Sequence, residues 1–135
     1  MSPKTSILIT DKNQKTLQSV AGILEVQGYH VTTACCWSQA LHFIKNCYID
    51  IAIIDIHMDK SDYMERLGKI QTASPQTSLI ITASDAQNHH IGGLESLGIY
   101  NIMPQPYDAN ELICALEFIA MESGQGATKN LAFSK

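Results

Sequence analysis

At 135 residues the chain suits a single domain, one that buries about two-thirds of its surface without metal or disulfide staples. With 45% apolar and 16% charged residues, it has the composition of an ordinary globular protein. A net charge of −4 with nine basic residues leaves no electrostatic footprint for a nucleic-acid backbone. No apolar run nears the roughly 20 residues of a membrane span, and MSPKTS lacks the apolar stretch of a secretory signal, so a cytoplasmic protein is expected.

The first predicted strand, Thr5–Thr10, runs straight into Asp11 and Lys12. Leu17, Val20, Ala21 and Leu24 then share one helical face, with Gly28 at the position of a helix C′ residue. A second strand is predicted at His30–Ala34 and a second helix around Ala40, Leu41 and Ile44. The third strand, Ile51–Asp55, is apolar until its last residue. A third helix carries Met64, Leu67 and Ile70 and stops before Pro75. Ser78–Thr82 reads as the fourth strand, Ile91–Leu97 as a weaker helix ended by Gly98, and Ile99–Met103 as the fifth strand. The last helix has the clearest start, Asp108 as N-cap with Glu111 at N3, and presents Leu112, Leu116 and Ile119. Residues 123–135 lose the period and gain Gly and Ser, which reads as a tail or the start of a linker after a domain over 1–122.

Cys35, Cys36, Cys47 and Cys114 show no C-x-x-C spacing and read as ordinary thiols in a reducing cytosol. The pair His89-His90 has no Cys or carboxylate at ligand spacing and is not expected to hold a metal.

Strands alternating with helices, several of them almost continuously apolar, predict an α/β domain with a parallel sheet covered on both faces. In such sheets function gathers beyond the carboxyl ends of the strands. Those ends bring Asp11 and Lys12, Asp55, Thr82 and then Gln105-Pro106 to one edge. An acid after a strand is commonly only a cap or turn residue. Asp55 is harder to read that way, because it closes a central apolar strand.

Over roughly residues 5–122 the chain resembles the receiver domain of two-component response regulators. The resemblance is carried by Asp50-Ile-Ala-Ile-Ile-Asp55-Ile-His-Met58, by Leu79-Ile-Ile-Thr82-Ala83, and by Gly98 through Gln105-Pro106-Tyr107. It implies a flavodoxin-like, doubly wound five-stranded sheet in the order 2-1-3-4-5. The implied function is phosphorelay signalling with no enzyme activity of its own. The implied roles are Asp55 as phosphoacceptor, Asp11 with Asp55 and the His57 backbone carbonyl around Mg²⁺, and Thr82 and Ala83 against the phosphoryl group. Pro106 is implied to follow a cis peptide. The implied partners are a sensor histidine kinase or phosphotransfer protein, and an output domain or protein on the face of the fourth helix, fifth strand and fifth helix.

Five positions depart from the family pattern. Lys12 stands where a second acid is usual, Gln105 where lysine is usual, and Ile102 where an aromatic switch residue is usual. Asp59 and Tyr63 likewise replace the usual proline and glycine after the acceptor strand. Two unit charges 4 Å apart interact by roughly 4 kcal/mol at an effective dielectric of 20, so an ammonium in place of a carboxylate predicts weak Mg²⁺ binding. The favoured expectation is that Lys12 pairs with Asp55, Asp11 or both, as a built-in cation; the other is that it turns to solvent. Two functional readings stay open, a phosphoacceptor with weakened Mg²⁺ dependence and a phosphorylation-independent pseudo-receiver. A third, a flavodoxin-like nucleotide or flavin binder, lacks a glycine in Asp11–Thr16 to cradle phosphate.

Overall fold

In the computed structural model, residues 4–59, 62–84 and 93–125 are described. They form β1 (Ser6–Thr10), α1 (Gln14–Val26), β2 (His30–Ala34), α2 (Trp37–Asn46), β3 (Ile51–Asp55), α3 (Tyr63–Ala73), β4 (Ser78–Ala83), a 3-10 turn (Leu94–Leu97), β5 (Ile102–Pro104) and α4 (Ala109–Gln125). The strands make one parallel sheet in the order β2-β1-β3-β4-β5, the doubly wound arrangement expected.

Strand periodicity explains the near-continuous apolar runs, because alternate residues serve opposite cores. Leu8, Ala52, Ile54, Leu79 and Ile81 pack with Trp37, Ala40 and Ile44 of α2 and Leu67 and Ile70 of α3. Ile7, Ile9, Ile51, Ile53 and Ile80 pack with Leu17, Val20 and Leu24 of α1 and Leu112, Leu116 and Ile119 of α4. β3 lies between β1 and β4 and is buried along its whole length, Asp55 included. β2 lies on the sheet edge and is partly exposed, which matches its mixed sequence HVTTA.

Helix ends follow local chemistry. Asn13 Oδ1 accepts the Thr16 N–H at the start of α1, and Asp62 Oδ1 accepts the Met64 and Glu65 N–H groups at the start of α3. At α4 the expected capping box forms, with Glu111 Oε1 accepting the Asp108 N–H and Asp108 Oδ1 accepting the Asn110 N–H. Gly28 and Gly98 both have positive φ, 101° and 75°, and end α1 and the 3-10 turn.

Some boundaries differ from those predicted. β5 begins at Ile102 rather than Ile99, because the Ile99 N–H turns back to the Leu94 carbonyl (3.1 Å) and its side chain is buried in the first core. Pro104, without an N–H, closes the strand. Of the helix predicted at Ile91–Leu97, only the 3-10 turn Leu94–Leu97 lies among the described residues, and His89 and His90 lie outside them. α4 runs on to Gln125, past the expected end at residue 122, and residues 126–135 lie outside the described part.

Candidate functional site

The carboxyl ends of β1, β3 and β4 bring three polar side chains together in an otherwise apolar setting. Asp55 and Thr82 are register partners on adjacent strands, so their side chains leave the same face of the sheet, the one covered by α1 and α4. Asp55 is 2% exposed and Thr82 1%. Asp11 follows β1 and is 8% exposed, with Oδ1 accepting the Asn13 N–H at 2.8 Å. Burial pushes the Asp11 carboxyl above its ordinary value, the Asn13 N–H opposes this, and the charge of Asp55 adds to the rise. The two carboxylates therefore feel each other across the strand ends.

Each remaining group has a defined partner. Asp55 Oδ1 accepts the His57 N–H at 2.9 Å. The backbone N–H of Asp55 donates to Thr10 Oγ1 at 2.8 Å, and that hydroxyl donates to the Ile53 carbonyl at 3.1 Å. Gln105 Nε2 donates to Thr82 Oγ1 at 3.0 Å, and the Gln105 N–H bonds the Ala83 carbonyl at 3.0 Å. Ala83 itself is fully buried. The Gln105–Pro106 peptide is cis. Asp59 Oδ2 accepts the Trp37 N–H at 3.4 Å, tying the loop after β3 to the start of α2. Tyr63 and Ile102 pack at the margin of the first core.

Lys12 corrects the favoured expectation. Its side chain is exposed, and among the described residues it forms no ion pair with Asp11 or Asp55. Its charge is the smallest of the influences on Asp11. A long solvated ammonium loses rotamer entropy and hydration on pairing, and an exposed pair returns about 0–1 kcal/mol, so water holds the lysine.

Two contributors escaped the sequence reading. Thr10 looks like one more β-branched strand residue, yet it is the side chain that fixes the Asp55 backbone. Tyr107 is half-buried against the α1/α4 core; burial and then the charges of Asp11 and Asp55 push its phenol up to about 12. Its place directly after Gln105-Pro106 was the available signal.

Mg²⁺ takes oxygen ligands and keeps several waters when one or two carboxylates hold it. Asp11 and Asp55 supply two, and among the described residues no group of three or more His, Cys, Asp or Glu side chains is gathered for a metal. A set of two carboxylates fits a hydrated Mg²⁺.

The profile of the response regulator receiver domain matches residues 7–117. Among relatives, the chain is similar to the transcriptional regulatory protein CpxR of Escherichia coli (strain K12), 26% identical over 117 residues that cover 87% of this chain and 50% of that protein. It is also similar to the response regulator MprA of Mycolicibacterium vanbaalenii, 25% identical over 95% of this chain and 57% of that one. The chain thus spans about half the length of these relatives. A receiver domain structure from Clostridium thermocellum superposes with a TM-score of 0.77 at 27% identity, covering 91% of this chain and 99% of that one. A CheY-like receiver domain from Methanospirillum hungatei JF-1 shares the fold, with a TM-score of 0.80 at 22% identity over 93% of this chain and all of that one.

Proposed function

We propose a function from one premise: the chain belongs to the response regulator receiver domain family. Response regulators work with sensor histidine kinases and output domains, and receiver domains generally bind Mg²⁺ at the phosphorylation site and are generally signalling modules rather than enzymes. On our reading this domain is a non-enzymatic cytoplasmic module, and Asp55 accepts a phosphoryl group from a histidine kinase or phosphotransfer protein. Output passes to a domain or protein docked on the face of β5 and α4, not to nucleic acid bound by this domain.

The observation that carries this reading is the shared face of Asp55 and Thr82 at the strand ends, with Asp11 close enough to feel the charge of Asp55. Asp55 Oδ1 is held by the His57 N–H, which leaves Oδ2 to attack phosphorus. As that oxygen–phosphorus bond forms, the phosphorus–nitrogen bond of the donor phosphohistidine breaks and the imidazole keeps the electron pair. Because Gln105 donates to Thr82 Oγ1, the hydroxyl proton of Thr82 is left to donate to a phosphoryl oxygen. Gln105 acts here as a positioning residue: its amide supplies a dipole where the family supplies an ammonium. Mg²⁺, when held by Asp11, Asp55 and the His57 carbonyl, would neutralise charge on the carboxylate and phosphoryl oxygens. With two carboxylates its binding is weak.

The neutral Gln105 docked on Thr82 also favours the competing reading of a phosphorylation-independent interaction module. Two-dimensional NMR separates the two. On the phosphoacceptor reading, beryllium fluoride or a small phosphodonor with Mg²⁺ shifts the amides of Asp55, Thr82 and β5, and Gln105→Ala shrinks the response at Thr82. No response in the native chain, with recovery in Lys12→Asp/Gln105→Lys, supports the phosphorylation-independent module.

A further inference from the structure

α4 carries two apolar stripes where a covered helix needs one. Leu112, Ala115, Leu116 and Ile119 face the core, while Cys114, Phe118 and Met121 stay exposed at helical spacing, Phe118 at 43% and Met121 at 59%. With Ile102, Met103 and Pro104 of β5 they line an open groove of about 710 Å³, and Glu111 and Glu117 are its charged side chains. Along the sequence, no Lys or Arg falls between Lys69 and Lys129, a stretch that holds Glu95, Asp108, Glu111 and Glu117. Among residues 4–125 every Lys and Arg falls at or before Lys69.

We propose that this groove takes a basic amphipathic helix of a partner protein and not a second copy of this chain. The inference deepens the docking face named above and rests on that reading, but not on phosphorylation of Asp55. A two-fold interface sets the same patch against itself. Here that would bring Glu111 and Glu117 of both copies together at an apolar contact, with no Lys or Arg among the described residues that line the groove. Like charges brought together at an interface are costly, and complementary ones steer association. A helix with apolar anchors at i, i+3, i+4 and i+7 fills such a groove, and Lys or Arg beside the anchors reaches the two glutamates.

The test uses the full, unmodified ¹⁵N-labelled chain. One probe is a synthetic helix with Leu and Phe at those anchor positions flanked by Lys and Arg; the other has Glu in place of every Lys and Arg. The basic peptide is expected to shift Ile102, Met103, Cys114 and Phe118, the acidic one to leave them still, and the chain alone to sediment as a monomer. Glu117→Lys, which leaves the capping box of α4 in place, is expected to weaken the basic peptide by about tenfold, and Glu117→Gln by less, with unchanged circular dichroism. Equal response to both peptides, response to neither, shifts confined to another face, or a dimer crosslinked through Cys114 would overturn the proposal. Failure here with phosphoryl uptake intact removes the docking inference alone; peptide binding without uptake leaves it standing.

Discussion

At Asp11 a single buried carboxylate carries a stability cost. Its carboxyl is pushed up by burial and by Asp55, so the folded state holds its proton more tightly than the unfolded chain does. Where the folded state binds more protons, stability falls as pH rises, so the cost appears above the unfolded value near 3.8 and is complete above the folded one. Asp11→Asn keeps an oxygen for the Asn13 N–H and removes the charge. It is expected to raise the thermal midpoint at pH 7 and to lose that advantage near pH 3, below the unfolded value. Thermal unfolding at the two pH values measures it, and an equal gain at both would contradict the account. The placement of Asp11, Asp55 and Thr82 was legible because polar groups ending apolar runs stand out. The conformation of Lys12 was not, since a flexible stem that gains little from pairing is decided by solvation.

At the scale of elements, one hydroxyl extends the join between β1 and β3 beyond their three register pairs. Thr10→Val keeps the shape but removes the acceptor of the buried Asp55 N–H. The loss is expected to be about 1–3 kcal/mol, read by urea unfolding, with Thr10→Ser recovering most of it. At α4, Asp108→Ala removes the acceptor of the Asn110 N–H and is expected to cost about 1 kcal/mol. Its N-cap was legible because the signature is local. β5 was legible only in part: Ile99–Met103 is an unbroken apolar run, but burying Ile99 after Gly98 satisfies the same residues without a ladder, and periodicity does not distinguish the two.

Across the molecule, the two cores share one sheet and neither closes without it. Trp37 is the only tryptophan and is 1% exposed in the α2/α3 core, while α1 and α4 cover the other face. Unfolding followed by Trp37 fluorescence and by far-ultraviolet circular dichroism is therefore expected to give coincident transitions. Separate midpoints would mean that the two layers come apart independently. The sheet order was legible through resemblance, whereas the outward stripe of α4 was masked in the sequence by the core stripe beside it.

The most direct measurement is the intact mass of the chain after incubation with a small phosphodonor, with and without millimolar Mg²⁺. The expected result is one phosphoryl group on the native chain, uptake that depends only weakly on Mg²⁺, and none on Asp55→Asn. A native chain that gains no phosphoryl group under either condition, or an Asp55→Asn chain that gains one, would contradict Asp55 as the acceptor.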